Sequence, residues 1–314
     1  MRAIVLDQFG PPDALSLRDD VADPRPGPGQ VLVRVHAASV NPVDTKVRQR
    51  GGDYGVEPPA ILGYDVSGVV EGVGDGVEDL VEGDHVFYTA EINANGAYAE
   101  LHVENADIVV VKPHDLTHAE AAAIPLAACT AWQALIDRAG LGLGETALIH
   151  GGGGVGHFAV QIAHAAGARV VVVGSAEMED SLLDFGADAF VDYRQSDGTG
   201  AVMDLTDGVG ADVVFDTVGG DTLVTSIPAL APHARLVTIV GDATGDFGQA
   251  YYKNAAFFPM MMERSGGMME RLAGLVETGD LEPLVADVLP LADVAEAHRR
   301  IEKGGVHGKL VLEI

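Results

Sequence analysis

The chain has 314 residues, enough for two domains rather than one. Hydrophobic residues make up 47% of it, which excludes a disordered acidic protein despite a formal net charge of −28. That charge argues against nucleic-acid and anionic-membrane partners; no apolar run approaches the ~18 residues of a membrane span, and a single cysteine, Cys129, rules out an intrachain disulfide.

The 47 acids and 19 bases are spread along the whole length. An acidic coat on an ordinary core suits a salt-saturated cytoplasm, because at molar salt the Debye length falls to about 3 Å and self-repulsion is screened. The opening Met1 to Gly10 has an acid at Asp7 and no long apolar stretch. It reads as a first strand rather than a signal peptide, and the cytoplasm is the default compartment.

In chain order, residues 1–116 read as β-rich. Strands are expected at Ala3–Leu6, Val31–Ala37, Val66–Val73 and His85–Tyr88, separated by turn-rich segments such as the Pro/Gly run from Asp23 to Gly29. Residues 117–256 alternate strand and helix, the pattern of an α/β, doubly wound parallel sheet of Rossmann type. Residues 257–314 are expected to hold a Met-rich helix from Met260 to Leu275, a helix from Leu291 to Ile301 and a last strand, Lys309–Glu313. The helical methionines read either as core filler or as a flexible pocket wall. The histidines are spread singly, as at His36, His85 and His102, and read as surface or core residues.

The most specific stretch runs from Glu145 to Gly156. A short apolar strand, Ala147 to His150, enters four consecutive glycines, Gly151 to Gly154, then Val155 and Gly156. An alanine-rich helix (His157 to Ala166) and a second strand (Arg169 to Val173) are expected next. Gly151, Gly153 and Gly156 fall on G-x-G-x-x-G in the order strand, turn, helix, strand. The first glycine allows the tight turn, the second lets backbone N–H groups approach a pyrophosphate, and the third lets helix and strand pack closely. The start of the helix adds free N–H groups and a partial positive charge. The plain alternative is a glycine-rich turn.

An NAD site usually places an acid about 20 residues beyond the glycines, where it bonds the ribose 2′-OH. Here that place holds Gly174-Ser175-Ala176. The missing acid favours NADP(H), with Tyr193 and Arg194 at the end of the third strand as phosphate contacts. Glu177, Glu179 and Asp180 oppose this reading unless they cap the next helix and face solvent. Arg194 also reads as one more surface arginine.

These features occur together with Ala38 to Thr45, Gly63 to Gly74, Gly96 to Glu100, Ala121 to Leu135 and Gly308 to Leu312. The chain resembles, from end to end, the zinc-independent quinone oxidoreductases of the medium-chain dehydrogenase/reductase superfamily, the group that includes zeta-crystallin. The resemblance implies a GroES-like substrate domain (1–116), a Rossmann domain (117–256) and a C-terminal segment (257–314) returning to the first. It implies a homodimer through an edge strand of the cofactor sheet, expected at Leu236–Val240.

The resemblance also implies site residues. Asn41 is expected to bond the nicotinamide or the substrate carbonyl, or else to be a turn former before Pro42. Lys46 stands where relatives carry tyrosine, and either stabilises an enolate or lies on the surface. Tyr54 is the nearest phenol to the family's second active-site tyrosine. Thr130 is expected near the nicotinamide, or is a buried threonine at a helix start. Val240, at the end of a later strand, and Lys309 join the expected cofactor contacts. No metal is expected, since Asp44, Tyr64 and Asp65 replace the thiolate and imidazole that tight zinc binding needs.

Hydride transfer from NADPH to a quinone or an α,β-unsaturated carbonyl is the reaction this set implies. The alternatives are an enoyl-thioester reductase of the same fold and a non-catalytic NADPH-binding protein of crystallin type. The acidic surface itself yields an outcome to measure. As potassium chloride falls from molar to millimolar, circular dichroism and activity should fall together, with NADPH partly protecting. Equal folding and activity in dilute buffer would exclude a salt adaptation.

Overall fold

A computed structural model describes residues 1–241 and 244–314. It divides into two compact units. The first comprises Met1–Leu126, Arg264–Glu277 and Pro283–Ile314; the second comprises Ala127–Glu263 and Thr278–Glu282. The division therefore falls at Leu126 rather than at residue 116, because the helix His118–Ala122 packs on the sheet of the first unit.

Sixteen strands are present among the described residues. They are β1 (Ala3–Leu6), β2 (Leu15–Arg18), β3 (Gln30–Val40), β4 (Ala60–Ile61), β5 (Asp65–Val73), β6 (His85–Thr89), β7 (Leu101–Asn105) and β8 (Val110–Val111). They continue with β9 (Thr146–His150), β10 (Arg169–Gly174), β11 (Ala189–Asp192), β12 (Ala211–Asp216), β13 (Leu230–Thr238), β14 (Ala256–Pro259), β15 (Val285–Pro290) and β16 (Lys309–Glu313).

In the first unit a seven-stranded sheet runs β15-β16-β3-β5-β6-β8, with β7 also paired to β3, and a small sheet runs β2-β1-β4. The long strand β3 alternates from Val31 to His36, burying Val31, Val33 and Val35 and exposing Arg34 and His36. The C-terminal return is fixed by pairing and by charge. β16 lies antiparallel to β3 with Leu310 opposite Val40. Arg48 is 1% exposed and donates to the Gly10 carbonyl, and its guanidinium also bonds Glu302, 254 residues further on. Arg264 donates to Glu91 and Glu104 at 2.6 and 2.7 Å.

In the second unit a six-stranded parallel sheet has the order β11-β10-β9-β12-β13-β14, doubly wound about β9. Its central strands are apolar throughout, as strands covered on both faces must be: Ala147, Leu148, Ile149, Val213, Val214 and Phe215 are each 0% exposed. This confirms the doubly wound sheet expected from the alternation of strand and helix.

Two expectations are corrected. The strand containing Leu236 is interior, flanked by β12 and β14, so the edges of this sheet are β11 and β14. The Met-rich segment is not one helix. Ala256–Pro259 is the added edge strand, Met260 to Met262 lie outside regular structure, and the helix is Gly266–Thr278. Periodicity at Ala255 to Phe258 is too short to separate a strand from a helix.

Candidate functional site

The glycine turn follows β9 at the carboxyl edge of the parallel sheet. Gly151 has φ +92°, a left-handed conformation that a side chain would strain, and a Cβ there would stand 2.3 Å from Thr217 Oγ1. Gly156 opens the helix Gly156–Ala165, and a Cβ on it would stand 1.7 Å from the Gly151 carbonyl oxygen. No side chain fits between turn and helix. Gly153, Gly154 and Val155 occupy the half-buried turn between them. This cradle fits a dinucleotide pyrophosphate: backbone N–H groups of the first helical turn lack acceptors within the helix and can answer phosphate charge.

Neighbouring strand ends reinforce this edge. The Asp216 carboxylate is 0% exposed and accepts from the Val218 and Gly219 N–H groups and the Thr238 hydroxyl, each at 2.9 Å. It thereby pins the turn after β12. The Thr238 hydroxyl also lies 3.3 Å from the carbonyl of Val240, which is half-buried just beyond β13. His150 Nε2 lies 2.7 Å from Ser226 Oγ, and burial lowers its pKa to about 4, so the ring is neutral at pH 7. Ser226 and Thr238 were not foreseen: Thr238 ends β13, whereas Ser226 follows the short helix Thr222–Thr225, where no strand end marks it.

Ser175 follows β10 directly, and β10 and β11 are in register with Gly174 opposite Asp192. Ser175, Glu177, Tyr193 and Arg194 are thus gathered at one corner. Arg194 donates to Asp192 at 2.9 Å and lies 3.5 Å from Glu177, with its guanidinium 5.6 Å from the Tyr193 ring centroid. The pKa of Glu177 is lowered first by its own backbone N–H and then by Arg194 and Ser175. Glu177 reaches toward the corner while remaining exposed to solvent, and the guanidinium is shared between two carboxylates. Thr130, in the same unit, is 5% exposed in the helix Pro125–Trp132.

A buried polar cluster occupies the first unit. Asp65, at the start of β5, is 0% exposed. Its Oδ1 accepts from the Leu126 N–H at 2.7 Å; its Oδ2 accepts from the Asn41 amide at 2.8 Å and from the Ser39 hydroxyl. Lys309 Nζ lies 3.6 Å from Asp65 Oδ2 and donates to Asn41 Oδ1. Burial lowers the Lys309 pKa, while Asp65 and Asp44 act to raise it. Asn41 leads the helix Pro42–Arg50, and its N–H donates to Asp44 at 2.5 Å in a capping box. Burial raises the Asp44 pKa to about 7, opposed by that N–H and reinforced by the Asp65 charge. Among the described residues the buried Tyr64 hydroxyl has no hydrogen-bond partner, and the Tyr98 hydroxyl acts to lower the Asp44 pKa.

The structure thus brings Asn41 and Lys309 together, with the amide of one held at both ends. Lys309 stands with this cluster. Lys46 is half-buried one turn along the same helix, and Tyr54 is half-buried in the 3-10 turn Gly51–Tyr54, packed on the same core. Ser39 and Leu126 were not foreseen in this cluster; the pairing of β3 with β5 places Ser39, and the helix Pro125–Trp132 carries Leu126.

The donor set does not suit zinc. Tyr64 offers a neutral phenol, its pKa raised by burial. The Asp65 oxygens are already engaged, and an ammonium stands beside them where a dication would have to bind. Among the described residues no group of three or more His, Cys, Asp or Glu side chains is placed to hold a metal ion. No helix among them is long and apolar enough to cross a membrane.

Glycine cradle, doubly wound sheet and GroES-like unit define an oxidoreductase that uses a nicotinamide cofactor. The alcohol dehydrogenase GroES-like domain family matches residues 27–116, and the family described as zinc-binding dehydrogenase matches residues 185–312. The chain is 33% identical over 324 residues to human quinone oxidoreductase, covering 99% of this chain and 97% of that one. It is 32% identical to the mitochondrial NAD(P)H oxidoreductase RTN4IP1 of Danio rerio, covering 100% and 91%. A crystal structure of an NAD-dependent alcohol dehydrogenase superposes with TM-score 0.94 at 34% identity, covering both chains fully. The quinone oxidoreductase from Coxiella burnetii gives TM-score 0.88 at 32% identity, covering 100% and 99%. The chain belongs to the medium-chain dehydrogenase/reductase superfamily, with quinone oxidoreductases among its full-length relatives.

The Asp65–Lys309 pair sets a stability test. Lys309→Met should cost about 3–5 kcal/mol, because it strands a buried carboxylate. Adding Asp65→Asn should recover much of that loss, read by urea unfolding in high salt as a double-mutant cycle. Additive losses would show that the two groups do not depend on each other.

Proposed function

We propose that this chain is a zinc-independent NADPH-dependent reductase that passes hydride to a quinone or an α,β-unsaturated carbonyl. The observation that carries this reading is the Asp65 carboxylate saturated by Leu126, Asn41, Ser39 and Lys309. Alcohol oxidation in this fold would use a metal to stabilise an alkoxide, and these donors offer no place for one. Bound NADPH would supply the hydride. The chain's own part is to cradle the pyrophosphate at Gly151 to Gly156 and to orient polar groups toward the charge that develops on the acceptor oxygen. Asn41, Lys46 and Tyr54 are proposed for that second task.

Ser175 supports NADPH over NADH by leaving the ribose corner without a carboxylate on the strand end itself. Arg194 is the proposed 2′-phosphate contact, and Glu177 and Asp192 hold it while also opposing the phosphate charge. A homodimer is proposed through β14, one of the two edges of the parallel sheet. Phe257 on that strand and Tyr251 and Tyr252 just before it are exposed, and such apolar surface suits an interface. Light scattering should give twice the chain mass of 32.6 kDa, and a monomer mass would remove this proposal.

The function is tested by NADPH oxidation in high salt against quinones, enones, enoyl thioesters and simple alcohols. Turnover of quinones or enones without added zinc is expected, and it should survive chelation. Turnover of alcohols alone, lost on chelation, would overturn the assignment. Glu177→Gln removes one competitor for Arg194 and should tighten NADPH about tenfold while leaving NADH nearly unchanged, the size of one charge-assisted contact. Cofactor fluorescence titration reads both constants. A tighter NADH constant would show that Glu177 does not oppose a 2′-phosphate.

A further inference from the structure

Three histidines far apart in sequence meet on the outer face of the first unit. His36 lies on β3, His85 opens β6, and His118 opens the helix His118–Ala122. The His36 and His118 rings stack with centroids 4.6 Å apart and planes 13° apart. His85 and His118 have centroids 5.1 Å apart, with His85 Nδ1 3.0 Å from His118 Nε2. On its other side His118 Nδ1 lies 2.8 Å from the hydroxyl of Ser67, a buried residue of β5 that is also 3.2 Å from the Val86 carbonyl. One proton assignment satisfies the chain with neutral rings. Ser67 donates to the Val86 carbonyl and accepts from His118 Nδ1–H, and His118 Nε2 accepts from His85 Nδ1–H.

The surroundings oppose added protons. Arg34 on β3 faces His36, and Lys112 faces His118. Nearby acids are committed elsewhere. Glu71 on β5 pairs with Arg34, Glu120 caps its own helix through Thr117, Asp287 on β15 pairs with Arg300, and Asp65 is saturated in its cluster. Asp115 lies near Lys112, and Glu313 on β16 is exposed. No carboxylate pairs with any of the three imidazoles among the described residues.

The helix that His118 opens has a second attachment. Ala122 and Ala123 pack against Ala37 and Val311, and three residues later the Leu126 N–H donates to Asp65. A shift of this helix therefore moves one of the donors that hold the buried cluster.

We propose that the His36–His118–His85 stack is an acid-sensitive latch: neutral, it fastens the His118–Ala122 helix to the sheet, and protonated, it frees that helix and loosens the Leu126 contact to Asp65. Desolvation lowers the pKa of His36 and, to about 4, that of His118, with neighbouring positive charge acting the same way. The unfolded imidazole takes up its proton near pH 6.5 and the folded one resists. Stability contributed by the neutral stack is therefore present above about pH 6.5 and is lost as the pH falls toward 4.

Buried His102, His150 and His298 also have lowered pKa values, so global stability does not isolate the latch. The test is hydrogen exchange by mass spectrometry on the full chain in high salt, corrected for intrinsic exchange rate. Protection across residues 118–126 should fall about tenfold between pH 7.5 and 5, the consequence of one unit of differential protonation. Protection in the helix Gly266–Thr278, which carries no histidine, should change less. In His36→Gln/His85→Gln, which leaves His118 as the last imidazole of the stack, the fall at 118–126 should be clearly smaller than in the parent chain, the remainder coming from the burial of His118 itself. If the double variant does not fold, the exposed single variant His36→Gln should show a partial loss of the pH response. An unchanged fall in a folded variant, or no local fall in the parent chain, would overturn the latch.

Discussion

A charge sealed inside a protein must be answered on every side, and Asp65 sets that requirement for the first unit. Its carboxylate draws a hydroxyl from β3, an amide from the loop after β3, a backbone N–H from Leu126 and an ammonium from β16. Those partners lie 26, 24 and 61 residues away in the hydrogen-bonded cases, and Lys309 reaches back 268 residues to Asn41. A buried pair of this kind adds little net stability against an apolar replacement, yet leaving either member alone is costly. It ties strand register, the Asn41 turn and the C-terminal return into one arrangement, and the chemistry proposed for Asn41 inherits its orientation from it.

The second unit answers a different constraint. A parallel sheet covered on both faces leaves only its carboxyl edge free for a ligand. Steric room decides what that edge can do. The contact between Gly151 and Gly156 leaves no volume for a methyl group, so the backbone itself becomes the binding surface. Electrostatics then work against the chain's own composition. With 47 acids, the corner proposed for a phosphate sets its arginine among carboxylates, and Arg194 is held by Asp192 and Glu177.

Much of this was legible in the residues. The glycine spacing marked the turn because Gly151 and Gly156 answer local steric demands that no other residue meets. Ala3–Leu6 and Lys309–Glu313 were found with their ends correct, since each carries a short apolar run, Ala3–Leu6 or Leu310–Leu312, flanked by charged residues. The edge of the parallel sheet was misplaced. Leu236 and its neighbours have the composition of any buried strand, and whether such a strand is central or at an edge depends on whether another pairs beside it. β14, with Phe257 and Phe258 followed by Pro259, gave too short a pattern to announce itself.

The histidines mark the boundary most clearly. Taken along the chain, His36, His85 and His118 are isolated, and isolation is the ordinary sign of an unremarkable residue. The amino-acid sequence determined the glycine turn and the two kinds of sheet, because these follow from local sterics and periodicity. Only the tertiary structure decided that Lys309 joins Asn41 and Asp65, that Arg194 is shared by two acids, and that three imidazoles stack. Those partners are brought together by strand register and chain return, over separations at which no local preference acts.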